Sequence, residues 1–509
     1  MTEPEQSRAT LFDTAHLEAD LKLRSMRGGA MTLSAQAARF VLQIGSTMVL
    51  ARLLVPADFG LIAMVTVITS FAMMFKDAGL STATIQRAEV DADQITTLFW
   101  INVCLGIAAA CLIASLAPLI AWIYGEPRLI LMTIVLASSL VLSGLSVQHQ
   151  ALLRRQMRYD ALATIDVLSL LAGIAFAIVL AVFGARYWSL VAMITGTSMV
   201  MCLLSWHYCH WIPGLPTLGG DVRSMLGFGG TLTGFNIFNY FTRNADNVII
   251  GILLGSASLG LYSKAYQLLM LPIRQLNAPV SNVMLSSLSR LQTDPVRFRR
   301  AYLRAVSALA MIGMPIVACL FVAADEVILI VLGADWAEAA DVFKWLAPAA
   351  FLGTLNIAPG WLCTALGRAR VQLGWAAITA PLTVCAFLIG VKWGIVGVAA
   401  AFSATWCLSL FVFLALACYR SPVSLGDIVH SIAPIVLMSV LAGIATSLVR
   451  IGFSIDGFPV GVRLSVLVVL FSSIYLSGIL AMPLSRSQFV ALFRDGLMSL
   501  QLRPSESAR

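Results

Sequence analysis

Residues 96–123 read TTLFWINVCLGIAAACLIASLAPLIAWI, a run of 28 residues without a single charge. As an α-helix it would be about 42 Å long at 1.5 Å per residue, enough to cross the roughly 30 Å hydrocarbon core of a bilayer. Hydrocarbon offers no partner to peptide N–H and C=O groups, and a helix satisfies them within its own segment. Working outward, the same pattern recurs along the chain. Fourteen apolar segments can be marked, at about 30–53, 59–79, 96–123, 128–149, 163–184, 187–207, 226–253, 259–286, 303–324, 342–365, 371–391, 395–418, 428–449 and 462–482.

The composition agrees. Of 509 residues, 59% are hydrophobic and 11% charged, against about 25% charged in soluble domains. This excludes a soluble enzyme, a disordered chain and a nucleic-acid-binding module. Strands of a transmembrane barrel would alternate polar and apolar residues, which these runs do not. The expected fold is an all-α polytopic membrane protein with about 14 transmembrane helices.

The net charge of +8 is a topology signal. Lys and Arg collect in cytoplasmic loops. With a cytoplasmic N-terminus, 21 of the 33 basic residues fall inside and seven outside, the latter being Arg52, Arg128, Arg186, Lys344, Lys392, Arg450 and Arg463. The stretch 325–341 carries five acids and no Lys or Arg, and is expected as an outer loop. No cleavable signal peptide is evident, so both termini are expected in the cytoplasm. The nine cysteines lie in or beside apolar runs without a C-x-x-C pair, which favours small packing residues over a disulfide framework or zinc ribbon.

The chain also repeats. Residues 49–61 read VLARLLVPADFGL and residues 249–261 read IIGILLGSASLGL, with Leu53/Leu253, Leu54/Leu254, Ala57/Ala257, Gly60/Gly260 and Leu61/Leu261 identical. Short turns near Tyr187–Trp188 and Trp393–Gly394 also fall at equivalent places. The expected organisation is two six-helix bundles in parallel pseudo-repeat plus two C-terminal helices. Its divisions are 1–29 (cytoplasmic segment), 30–210 (first lobe), 211–420 (second lobe), 421–485 (two extra helices) and 486–509 (cytoplasmic tail). Parallel repeats place a transporter's substrate site at the repeat interface.

Polar residues inside the membrane mark that site. The first segment carries Gln36, Arg39, Gln43, Ser46 and Thr47 within roughly a 100° arc. The seventh carries Asn236, Asn239, Arg243, Asp246 and Asn247, at the same positions after subtracting 200. The eighth adds Lys264, Gln267, Arg274 and Gln275. A central polar cavity is expected, richer in cations than acids and suited to an anionic passenger. Two bland readings stand beside it. Arg243 and Asp246, spaced i,i+3, neutralise one another, and Lys264 snorkels to the interface. Arg39 has no acid three or four positions away. Lys76 and Asp77 lie near the inner end of the second segment.

Other motifs carry less. GFGGTLTG at 227–234 lacks the strand and domain of a phosphate loop, and no G-K-[ST] Walker sequence occurs. Helix packing through Gly230 and Gly234 explains it better. Asp91-Ala92-Asp93 has no α/β domain to support a sugar-nucleotide site. His207, Cys209 and His210 match no standard metal spacing. No metal site or cofactor is expected.

The sequence resembles the polysaccharide transporter branch of the multidrug/oligosaccharidyl-lipid/polysaccharide exporter superfamily. The likeness lies in Ala51 through Leu61 (ARLLVPADFGL), Asp77-Ala78-Gly79-Leu80-Ser81, Ile85-Gln86-Arg87, Phe99-Trp100-Ile101-Asn102, Asn244-Ala245-Asp246-Asn247 and Gly260 through Tyr266 (GLYSKAY). The resemblance implies a flippase of the bacterial inner membrane that carries undecaprenyl-pyrophosphate-linked oligosaccharide by alternating access. It also implies membrane lipids as surroundings and polysaccharide polymerase and export machinery as partners. Under it, Arg39, Arg243 and Arg274 would contact phosphate. Gln36, Gln43, Asn236 and Asn239 would bond sugars, with Asn247 and Lys264 also lining the cavity. Asp246 would be a charge partner or a proton or sodium coupling site. The alternatives are a multidrug/cation antiporter, a lipid II flippase and a membrane polysaccharide polymerase. The antiporter is disfavoured by the cationic segments, and the polymerase by the absence of a large outer loop.

Overall fold

The computed structural model describes residues 21–74, 81, 84–85, 91–215, 222–452 and 457–482. Among them there is helix and no strand. The chain divides into two compact units, Met1–Gly260 and Leu261–Arg509.

The first unit holds α1 (Leu21–Leu53), α2 (Pro56–Met73), α3 (Ala92–Tyr124), α4 (Leu129–Arg155), α5 (Tyr159–Val182), α6 (Tyr187–Cys209) and the first part of α7 (Val222–Arg290). Proline at the first helical position of α2 starts a new helix after α1 ends, because its missing N–H would be unpaired there in any case. The Val55 N–H donates to Asp58 Oδ2 at 3.4 Å. At 69 residues, α7 is far longer than a bilayer requires, and its one non-helical residue is Gly255, at φ 83° and ψ −178°. A side chain is rarely accommodated in that conformation, so glycine lets the chain break between the seventh and eighth apolar segments.

That break meets the α1–α2 corner within the first unit. A Cβ on Gly60 would overlap the carbonyl oxygen of Ser256, and a Cβ on Gly260 would overlap the carbonyl oxygen of Pro56. The same Cβ on Gly260 would stand 3.2 Å from the Gly60 nitrogen. Pro56 and Ser256, like Gly60 and Gly260, are 200 positions apart, so the repeat seen in the sequence is a reciprocal contact in the structure.

The core of the first unit is built by α3, α4, α5 and the end of α6, with Ile95, Phe99, Leu152, Leu153, Ile165, Cys209 and Trp211 buried together. His149 sits inside it, its Nε2 3.1 Å from the Trp211 carbonyl and its ring stacked on Trp206.

The second unit comprises the rest of α7 and α8 (Pro295–Val322), α9 (Ala324–Val331), α10 (Ala339–Gly353), α11 (Ala358–Ala365), α12 (Ala369–Gly390), α13 (Gly394–Cys418), α14 (Leu425–Gly452) and α15 (Val460–Ala481). Its core joins Phe298, Tyr302, Val306 and Met314 of α8 to Trp361 and Leu362 of α11, Ile435 of α14, and Phe471 and Tyr475 of α15. The α5–α6 turn spans four residues, and α12–α13 turns through a single 3₁₀ turn at Val391–Trp393. These are the paired short turns read from the sequence.

The apolar segments are helical in their described parts, with 342–365 split into α10 and α11 by a turn at 354–357. Eleven stretches among the described residues are long and apolar enough to cross a membrane, and one of them, Arg370–Cys418, contains both α12 and α13. The helix α1 falls outside this set, because Gln36, Arg39, Gln43, Ser46 and Thr47 interrupt its apolar surface. The outward faces are strongly apolar, as Trp122 and Phe183 illustrate, which is what a lipid solvent selects.

One expectation needs correction. The stretch 325–341 is not an open loop: it forms α9, a 3₁₀ turn at Ala334–Trp336 and the start of α10. Asp325 and Glu326 occupy the first turn of α9, where the helix dipole favours acids. Val327, Ile328 and Trp336 are buried, so apolar side chains hold this stretch down.

Candidate functional site

In the first unit, the α1 stripe sorts into two parts. Ser46 is buried, and its hydroxyl donates to the Gln43 carbonyl at 3.0 Å. Thr47 donates to the same carbonyl at 2.8 Å. Both hydroxyls are thus satisfied by their own helix. Gln36, Arg39 and Gln43, successive at i, i+3 and i+7, are exposed. They form a row of donors along one face.

Arg39 is held from α5. Its Nη1 lies 3.2 Å from Asp166 Oδ2, a contact 127 residues apart in sequence. Sequence reasoning looked for a partner on the same helix and passed over Asp166. The available signal was an acid near the start of the fifth segment, the one charge within 163–184, and an acid inside an apolar segment points to an intramembrane site.

Tyr240 anchors the first part of α7 to α2. Its hydroxyl donates to the Val67 carbonyl at 2.5 Å and its ring lies 5.7 Å from that of Phe71. One turn on, Asn244 Nδ2 donates to the Tyr240 carbonyl at 2.9 Å. Asp246 is buried, and its Oδ1 accepts the Asn247 N–H at 2.8 Å. Asn247 is half-buried. The side chains of Asn236, Asn239 and Arg243 lie outside the described residues, as do Lys76 and Asp77.

In the second unit, Lys264 is half-buried and its Nζ donates to Gln267 Oε1 at 3.2 Å, one turn along the same helix. Arg274 is exposed. The structure therefore joins Arg39 to Asp166 and Lys264 to Gln267. The predicted residues are divided between the units, with Arg39 and Asp246 in the first and Lys264 and Arg274 in the second.

The D-x-D motif has a local role. Asp91 is the N-cap of α3, and its N–H reaches Gln94 Oε1 at 3.5 Å, the reciprocal half of a capping box.

Ion pairs tie residues that the charge pattern assigns to the same side. Arg299 meets Asp427 at 2.5 Å, both from the inner set. Lys344 meets Asp325 at 2.7 Å, and Arg450 meets Glu326 at 3.0 Å, all from the outer set.

The profile of the family described as "Polysaccharide biosynthesis protein" matches residues 49–341. The chain belongs to this family. The lipopolysaccharide biosynthesis protein WzxC of Escherichia coli is 27% identical over 348 residues, covering 67% of this chain and 70% of that protein. The succinoglycan biosynthesis transport protein ExoT of Rhizobium meliloti is 24% identical over 361 residues, covering 69% of this chain and 71% of that one. Among solved structures, the lipid II flippase MurJ in an inward closed conformation superimposes with a TM-score of 0.71 at 12% identity. The match covers 89% of this chain and 98% of the MurJ chain. At that identity the likeness speaks to fold. It makes this member of the polysaccharide biosynthesis family an all-α polytopic membrane protein of the MurJ type.

Proposed function

We propose that this chain is a flippase that moves a polyprenyl-pyrophosphate-linked oligosaccharide across the bacterial inner membrane for lipopolysaccharide or exopolysaccharide assembly. The observation that carries the proposal is the donor row Gln36–Arg39–Gln43, exposed on α1 of a family member whose relatives include a transport protein of polysaccharide synthesis. Guanidinium and amide groups along one helix face suit a passenger with a phosphate at one end and hydroxyls along the rest.

In this reading the lobes 30–210 and 211–420 alternate between inward- and outward-open states, with residues 421–485 as two additional helices. The head group crosses through a central polar cavity while the polyprenyl tail stays in lipid. Arg39, Arg243 and Arg274 contact phosphate; Gln36, Gln43, Asn236, Asn239, Asn247 and Lys264 line the path. Asp246 serves as a charge partner or as the site where a proton or sodium ion couples to transport. Both termini are cytoplasmic, the chain acts without its own nucleotide hydrolysis, and a polysaccharide polymerase receives the passenger. A lipid II flippase has support only at the level of fold.

Deleting the gene tests the proposal. Surface polysaccharide should fall and lipid-linked repeat units should accumulate, with both reversed by the intact gene. Complementation by Arg39→Ala or Arg243→Ala should fail at normal protein levels. Intact export without accumulation, in a strain lacking a redundant flippase, would overturn it.

A further inference from the structure

Among the described residues, the pair formed by Arg39 and Asp166 joins the middle of α1 to a position two turns into α5. It is also open: the two side chains are 51% and 39% exposed. A single contact, Nη1 to Oδ2, joins them. A guanidinium has five N–H donors and an ionised carboxylate about four acceptor sites. Among the described residues, most of the bonding capacity of both groups is therefore unused. A structural pair in an apolar setting would be expected to close around itself, because each unsatisfied charge there is costly.

The repeat sharpens the point. The segment of the second half that corresponds to α5, residues 371–391, contains no acid at all. Asp166 thus has no acidic counterpart in that segment, and it stands where it meets the cation of the α1 donor row.

We infer that Asp166 is a displaceable internal anion, which occupies Arg39 in the empty carrier and yields it to the phosphate groups of the passenger. This rests on the flippase reading and assigns a residue to its substrate site that the reading itself does not include. A pyrophosphate carries more charge than a carboxylate and offers paired oxygens to the guanidinium fork, which makes it the stronger partner. The exchange breaks one contact and forms two. Asp166 keeps Arg39 oriented while the site is empty. It also lowers the apparent affinity for the passenger, since only the fraction of carriers with an open Arg39 is competent to bind. Such a weakening helps release on the far side of the membrane.

The test uses the full-length protein purified in detergent, with inorganic pyrophosphate as probe and isothermal titration as readout. Arg39→Gln should weaken binding. Asp166→Asn should tighten it, by roughly three- to tenfold if the pair is closed most of the time. In the Arg39→Gln background, Asp166→Asn should change nothing, because the two effects act through one contact. Should Asp166→Asn fail to fold, Asp166→Ser is measured in its place. A purely structural pair would show lower thermal stability in either variant and no gain in affinity, and that result overturns the inference while leaving the flippase reading intact. Wild-type protein that binds no pyrophosphate, or binds it equally well without the Arg39 guanidinium, removes both the inference and the assignment of Arg39 to phosphate.

Discussion

Arg450 of α14 lies 3.0 Å from the buried carboxylate of Glu326, and Arg463 of α15 approaches the same oxygen at 4.0 Å. One acid at the start of α9 therefore fastens both C-terminal helices within the second unit. Glu326 is 1% exposed, while Arg450 is 25% exposed and keeps Asp325 at 3.6 Å as a second partner. Glu326→Ala should therefore destabilise the protein by about 1–3 kcal/mol, the cost of leaving half-buried charged groups with fewer bonds. Thermal unfolding in detergent, followed by size-exclusion of the surviving fraction, measures the loss.

The Arg299–Asp427 pair provides the contrast. It is shorter, at 2.5 Å, but the arginine is half exposed. Exposed pairs are screened and lose side-chain entropy, so Asp427→Asn should cost about 0–1 kcal/mol. The same unfolding assay should rank it below Glu326→Ala, although its contact distance is the shorter of the two.

Gly60→Val and Gly260→Val should each be poorly tolerated, since the added carbons meet backbone carbonyls that have no side-chain freedom. Overpacking of this kind costs typically about 1–3 kcal/mol, seen as a lower unfolding temperature or loss of membrane-inserted protein. Gly45 of α1 is the control. Nothing lies within 4 Å of its missing side chain, and Gly45→Ala should stabilise by about 0.5–1 kcal/mol through helix propensity.

Asn102 of α3 is fully buried, and neither polar atom of its amide has a hydrogen-bond partner among the described residues. Replacing it with an apolar residue of similar size should relieve a desolvated group. Asn102→Leu is expected to hold or raise the unfolding temperature, equivalent to zero to about 1 kcal/mol. A folded variant that no longer supports polysaccharide export would instead assign the amide to transport.

The helices were legible because lipid imposes a strong rule on composition, and apolar runs such as 96–123 need no context to be recognised. The 200-residue repeat was legible from Gly60 and Gly260, whose small size the backbone contact demands. Asp166 was missed because helical spacing reveals only partners on the same helix, whereas Arg39 finds its partner 127 residues away. The form of 325–341 was misjudged for a related reason. Its acids suggested solvent, while Arg450 and Arg463, which meet Glu326, come from α14 and α15, far along the chain.

The contact between Gly60 and Ser256, returned by Gly260 and Pro56, has the form that two identical chains make about a twofold axis: residue i on j, and j on i. Each glycine is thus seated against the backbone stretch that carries the other, and a larger residue at either position would push the same two stretches apart. The corner therefore behaves as one hinge-pin with two halves: loosening either side releases the α1–α2 corner and the break in α7 together.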